Sequence, residues 1–285
     1  MGRGQILRAV CGLLVSAVLF CACGDRASKL TSANHDHTNV LWITVCTLRS
    51  DHLGAYGYSK PVSPKLDDLA KRSFLFERTL TQAPWTRPSI ASMVTSIYPR
   101  SLLIDGFGSK NKELGLNDSF QTAAEYFHDA GYYTIGITAN PNTNPSRNFD
   151  QGYDFYVGTQ KLWKTGYGRD KADARAVSAQ LLDHLNGPAK GRKFFAHLVL
   201  VDGYDEQIRF MDEMLARLFA NLNEMGLSDT LIVFNANHGE GFGEAGGGWR
   251  SWENAVQFCA VGSIHSLPSE LRIPRASHLR ASRIG

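Results

Sequence analysis

The sequence predicts an α/β fold in which a mostly parallel sheet is flanked by helices. Short β-rich apolar runs alternate with amphipathic stretches from residue 40 onward, and glycines stand where those stretches stop. The stretches are also long enough to cross over a sheet, so the strands they join pair in parallel through right-handed crossovers.

Val40 to Val45, β-rich and apolar but for Thr44, forms the first buried strand. Pro64 to Arg72, preceded by Ser63 as cap, is a helix, and a second helix begins near Thr86 and Pro88. A helix near Ser119 to His128 stops at Gly131 and leads into strand Tyr133 to Thr138. The helix Ala172 to Leu185 stops at Gly187 before strand Phe194 to Val201. Ile208, Met211, Leu215, Leu218 and Leu222 then recur at helical spacing, Gly226 ends that helix, and Leu231 to Phe234 is the next buried strand. The methionines of this stripe read as core. Ligands of such sheets bind beyond the carboxyl ends of the strands, so the residues after Val45 and Phe234 are where a site is expected.

The chain has 285 residues, is 43% hydrophobic and carries a formal charge of +3. Its basic residues are scattered, which gives no support to a nucleic-acid partner. Arg3 and Arg8 precede the apolar run Ala9 to Phe20, which is short for a bilayer span and reads as an export signal. That run ends Leu19-Phe20-Cys21-Ala22-Cys23-Gly24, which resembles a bacterial lipoprotein box with Cys23 as the acylated residue. The expectation is an exported, membrane-anchored lipoprotein, and plain cleavage with Cys23 left as a thiol is the alternative. Gly24 to Thr38 is polar and reads as a tether, with His35 and His37 solvated within it. The expected organisation is therefore a signal over 1–23, a linker over 24–38, an α/β domain over 39–257 and an aberrant, disordered tail over 258–285. Of five cysteines only Cys46 and Cys259 lie beyond the signal, one at a strand end and one in the tail, so no structural disulfide is expected.

Three segments converge on the expected site: Cys46-Thr47-Leu48-Arg49, Ala83 to Ser92, and Asn235 to Glu240. Thr86 places a hydroxyl at a helix start, where free N–H groups and the helix dipole favour an anion. On local sequence alone a plain helix cap is the preferred reading of Thr86. Gly241 to Gly246 has the glycine spacing of a dinucleotide loop, but no amphipathic helix follows and Glu244 would crowd a pyrophosphate, so it does not read as one.

Asn39 to Gly54, Gln82 to Pro99, Asn148 to Asp154, Tyr204 to Gly226 and Asn237 to Gly248 resemble sulfatase-family blocks in family order. The resemblance implies the alkaline-phosphatase superfamily, whose members cleave sulfate or phosphate esters through a metal-activated nucleophile and a covalent intermediate. It implies Thr86 as nucleophile, Cys46, Thr86, Asn237 and His238 around a divalent cation (calcium, magnesium, manganese or zinc), and Arg49, Arg87 and Arg250 on the anionic ester. The ester would be a small molecule, or a glycan or lipid bearing sulfate or phosphate.

This chain departs from that pattern. Cys46 and Asn237 stand where the family has aspartate, Thr86 where sulfatases have the Cys or Ser converted to formylglycine, and Ile90 where their motif has Arg. Asp202 runs directly into Gly203 and Tyr204, without the family's Asp-Pro-His loop. Phe258 to Gly285 does not resemble the family's carboxyl-terminal subdomain, which is expected to be missing. Phosphoric-ester chemistry is therefore expected ahead of sulfuric, in impaired form. A catalytically inactive binding or vestigial protein is the alternative.

Overall fold

The computed structural model describes residues 38–77, 79–104, 115–164, 173–201 and 204–240, with the backbone of two strands at 257–260 and 281–282. The expected signal with Cys23 as its expected lipid site, the expected tether up to residue 37 and most of the tail lie outside the described residues. No helix among the described residues is long and apolar enough to cross a membrane.

Strand β1 (Val40–Cys46) lies at the centre of the sheet. The other strands are β2 (Phe74–Phe76), β3 (Tyr133–Thr138), β4 (Phe155–Val157), β5 (Phe194–Val201), β6 (Leu231–Ala236), β7 (Gln257–Ala260) and β8 (Ala281–Ser282). β1 pairs in parallel with β5 on one side and β6 on the other, β3 with β5, and β4 with β3. Five parallel strands thus run in the order β4-β3-β5-β1-β6, and the sheet continues through β7, β2 and β8, each antiparallel to its neighbour. The mostly parallel sheet predicted from the sequence is the one found.

The helices are α1 (Pro64–Lys71), α2 (Thr86–Thr95), α3 (Ala123–Asp129), α4 (Thr159–Lys164), α5 (Ala174–Asn186) and α6 (Glu206–Glu224). Leu41, Ile43 and Val45 of β1 pack with Val177, Leu181 and Leu185 of α5 and with the apolar stripe of α6. Ile90, Ala91 and Val94 of α2 form a second cluster with Val199 of β5 and Phe149. Strand side chains alternate between faces, which is why Leu198 and Leu200 join the first cluster and Val199 the second.

Two helix starts differ from expectation. Ser63 stands before α1, but its hydroxyl makes no capping bond and instead donates to Asp67 Oδ1 at 3.1 Å. The N–H groups of Lys65 and Leu66 are taken by the carboxylate of Asp212 from α6, at 3.0 and 2.7 Å, so α1 is capped from another helix. The helix expected near Ser119 begins at Ala123, because Thr122 takes the cap position. Its hydroxyl accepts from Glu125 N at 3.2 Å, and Glu125 accepts from Thr122 N at 2.7 Å.

A polar seam crosses the middle of the sheet. Trp42 Nε1 and Thr44 Oγ1 both donate to Asn235 Oδ1 at 3.0 Å, so Thr44 Oγ1 accepts from His197 Nε2 at 3.0 Å, and His197 Nδ1 accepts from the Tyr153 hydroxyl at 3.2 Å. Both ring nitrogens are satisfied in the neutral imidazole, and burial pushes the His197 pKa down to about 3. Beside the seam, Gly136 leaves room for Tyr156, since a Cβ there would stand 2.3 Å from that ring.

Candidate functional site

Carboxyl ends of neighbouring parallel strands deliver the site. Cys46 is the last residue of β1, and Asn237 is the first beyond β6, with its N–H still bonded to Val45 O at 3.2 Å. Thr86 opens α2, and its two flanking strands' ends lie against it because α2 packs on that face of the sheet. Ser89, one turn further along α2, donates its hydroxyl to the Asn237 carbonyl. That bond ties the helix carrying Thr86 to the segment carrying His238.

The structure brings Cys46, Thr86, Asn237 and His238 together, all buried. Thr86 Oγ1 lies 3.2 Å from Cys46 Sγ and 3.3 Å from His238 Nε2, and Cys46 Sγ lies 3.7 Å from the same nitrogen. His238 Nδ1 is 2.7 Å from Gly239 O, an acceptor without a proton of its own, so Nδ1 carries the ring hydrogen and Nε2 presents a lone pair to Thr86. Asn237 Nδ2 reaches Cys46 Sγ at 3.5 Å, while Asn237 Oδ1 is buried with no hydrogen-bond partner.

Asn140 belongs to the cluster and was missed in the sequence. Its Nδ2 donates to Cys46 Sγ at 3.0 Å and reaches Thr86 Oγ1 at 3.4 Å, while its Oδ1 accepts from Asn142 N. It stands two residues past the end of β3, so the position beyond a parallel strand's carboxyl end was the signal that could have found it.

The arginines are placed differently. Arg49 grips both Asp51 oxygens, at 2.9 and 2.7 Å, and donates to Glu240 O at 3.0 Å, bracing the turn after β1 against the segment after β6. The hydrogen bonds from Arg49 to Asp51 hold the Asp51 carboxyl below its usual range. Arg87, the second residue of α2, is buried with its guanidinium 5.5 Å from the Trp85 ring centroid. Arg250 and Asp202 lie outside the described residues.

A hard divalent cation does not fit this set. Calcium, magnesium and manganese favour carboxylate oxygens, whereas Cys46, Thr86, Asn140, Asn237 and His238 supply a thiol, a hydroxyl, two amides and an imidazole. Among the described residues no three His, Cys, Asp or Glu side chains gather into a metal-binding group. Burial pushes the Cys46 thiol pKa up, outweighing the hydrogen bonds from Thr86, Asn237 and Asn140, and the Glu240 charge adds to the rise. The thiol is neutral at physiological pH and offsets no cation charge. What the cluster can do unaided is hold a hydroxyl against an imidazole lone pair at a helix amino terminus.

Known proteins share this architecture. A sulfatase-family model matches residues 38–203, a span that holds Cys46, Thr86 and Asn140 and ends before Asn237. Human iduronate 2-sulfatase is 31% identical over 156 residues, which cover 54% of this chain and 27% of that protein. The N-acetylgalactosamine-6-O-sulfatase of Bacteroides thetaiotaomicron is 27% identical over 122 residues, 43% of this chain and 24% of the relative. The chain thus spans about a quarter of the length of these curated relatives. The phosphonate monoester hydrolase of Agrobacterium radiobacter superposes with a TM-score of 0.63 at 17% identity, over 79% of this chain and 68% of that one. An alkaline-phosphatase-superfamily protein from Vibrio parahaemolyticus gives 0.62 at 18% identity, over 80% and 60%. With more than half of its length under the family model and the superfamily's parallel sheet beneath its site, the chain belongs to the sulfatase family.

Proposed function

We propose that this chain is a phosphoric-ester hydrolase or transferase in which Thr86 is the nucleophile and His238 its base, working without a hard metal ion. The observation that carries this reading is the 3.3 Å contact between Thr86 Oγ1 and the lone-pair nitrogen of His238 at the start of α2. Thr86 Oγ1 attacks phosphorus as its proton passes to His238 Nε2. The ester P–O bond breaks, and the leaving oxygen takes the electron pair and then the proton held on His238 Nε2, which frees that nitrogen. Water, deprotonated by the same nitrogen, then attacks the phosphorus of the phosphothreonine, and Thr86 Oγ1 leaves with the electron pair and takes that proton back. The amino terminus of α2 and the Asn140 amide favour the negative oxygens.

Without a Lewis acid this site lacks several kcal/mol of charge stabilisation, so turnover is slow and confined to esters with good leaving groups such as phenols. The names of the relatives point to anionic esters, some of them on sugars, and an anchor through Cys23 would present the site to esters outside the cytoplasm. A second reading is favoured by Cys46 and Asn237 standing where the family has aspartate: the cluster binds an anion at the start of α2 and does not turn it over.

The deciding measurement is hydrolysis of aryl phosphate mono- and diesters and aryl sulfates in the presence of a chelator. Weak phosphate-ester turnover that Thr86→Ala abolishes and His238→Gln lowers supports the proposal. Sulfate-ester turnover, or phosphatase activity that survives Thr86→Ala, overturns it, and no turnover of any ester leaves the binding reading in its place.

A further inference from the structure

A cleft of about 220 Å³ opens beyond the carboxyl ends of β3 and β4, lined by Asn144, Pro145, Ser146, Tyr156, Gln160 and Lys161. We infer that this cleft is a saccharide subsite, which takes an anionic sugar ring of the same molecule whose ester group lies at Thr86. The inference rests on the proposed function for that linkage alone, because the chemistry of the cleft specifies the ring.

The cleft is at the edge of the sheet where parallel strands present their ligands. The segment leaving β3 passes Asn140, which reaches Thr86 Oγ1, and comes to the cleft at Asn144. Those four peptide steps span no more than about 14 Å, so one extended ligand can occupy both places. The volume of about 220 Å³ lies below the roughly 300–1,000 Å³ of pockets that enclose drug-sized ligands, and it fits a single ring.

The walls are set before any ligand arrives. Asn144 Oδ1 accepts from Thr159 N at 3.0 Å and from Thr159 Oγ1 at 2.8 Å, so the amide is locked and its Nδ2 is a donor with a fixed position. Gly158 allows that seat, since a Cβ there would stand 2.6 Å from Asn144 Oδ1. Tyr156 is pinned through its hydroxyl, which donates to Thr143 O at 2.6 Å.

Asn144 Nδ2 and the side chains of Ser146, Gln160 and Lys161 make no hydrogen bond or ion pair among the described residues. Four polar groups therefore face one cleft with their hydrogen bonds left to water or a ligand. A ring bearing several hydroxyl groups satisfies two amides and a hydroxyl together, and its C–H face lies against the apolar surface of Tyr156 and Pro145. Lys161 is the one cation among the lining residues, and no carboxylate stands with it. The ring that fits best thus carries a negative group, a carboxylate or a sulfate.

The test uses the full chain and needs no turnover. Glucuronic acid and glucose 6-sulfate are titrated beside glucose and acetate, with backbone amide NMR shifts as the readout. The shifts should gather at residues 144–146 and 158–161, and at least one anionic sugar should bind about tenfold tighter than glucose and than acetate. The tighter of the two identifies the charged group. Lys161→Ala should bring that sugar to the level of glucose, and Gln160→Ala should weaken both the anionic sugar and glucose severalfold. Both side chains are exposed, so neither change threatens the fold. Acetate binding as tightly as the anionic sugars, shifts that avoid the cleft, or affinity unchanged by Lys161→Ala overturns the subsite. A disaccharide with the anionic ring at one end and phosphate on the other ring should shift His238 as well. Shifts confined to the cleft in that experiment overturn the linkage to Thr86, and since no ester is cleaved in any of these titrations, their failure is distinct from a failure of the ester-hydrolysis reading.

Discussion

Ser89 and Asn237 are joined by a side-chain-to-backbone hydrogen bond that reaches from the second turn of α2 to the segment leaving β6. Both residues are fully buried, so neither partner has water to fall back on. Ser89→Ala is expected to lower the unfolding free energy by about 1–2 kcal/mol, read from urea denaturation, because it leaves a buried carbonyl one donor short. A change within about 0.3 kcal/mol of zero would mean that the two elements are held together by packing alone.

His197 sets a pH dependence of folding. Its folded pKa is about 3, below the ordinary histidine value, because burial disfavours the charged ring. The unfolded chain therefore takes up a proton near pH 6.5 that the folded chain refuses until about pH 3. This part of the stability is fully present above pH 6.5 and declines steadily as pH falls toward 3. Chemical denaturation between pH 7 and pH 4 should show that decline, and His197→Gln should flatten the slope by up to one proton; parallel slopes for the two proteins would count against a buried neutral His197.

Asp212 works in the other direction. Burial pushes its pKa up, and the hydrogen bonds from Leu66 and Lys65 offset only part of that. The unfolded carboxyl ionises first as pH rises, so stability falls with rising pH between 3.8 and the higher folded value. Asp212→Ala nevertheless removes both partners of the α1 amino terminus, and a loss of about 2 kcal/mol at neutral pH is expected, measured by thermal or urea unfolding. Unchanged stability would show that solvent caps α1 equally well.

What the sequence made legible follows from element length. β1, β3 and β5 are runs of six to eight residues, most of them buried, and strings of that length built from apolar, aromatic and β-branched residues, with only Gly136 and His197 of other types, read as interior strands. β2 and β4 have three residues each, too few to show a period, and they are strands only because neighbours offer them hydrogen bonds. The grouping of Cys46, Thr86, Asn237 and His238 follows from strand ends and family order, whereas Asn140 stands beyond β3 and outside every family-like block of the sequence. The role expected of Arg49 comes from the resemblance. Its guanidinium is engaged by Asp51 two residues along and by the Glu240 carbonyl, and only folding discloses that pairing.

Parallel strands of valine, leucine and isoleucine have a weakness: sliding one past another by two residues keeps every apolar side chain on its proper face. The seam of Trp42, Thr44, His197 and Asn235 does not tolerate that slide. In the native pairing Trp42 stands opposite His197 and Thr44 opposite Asn235. A two-residue offset would carry Thr44 roughly 6–7 Å from its acceptor and leave an indole, a hydroxyl, an imidazole and an amide stranded in the interior. The polar groups in the middle of the sheet thus act as a vernier, and because they admit one alignment only, the strand tips bearing Cys46 and Asn237 arrive level with each other.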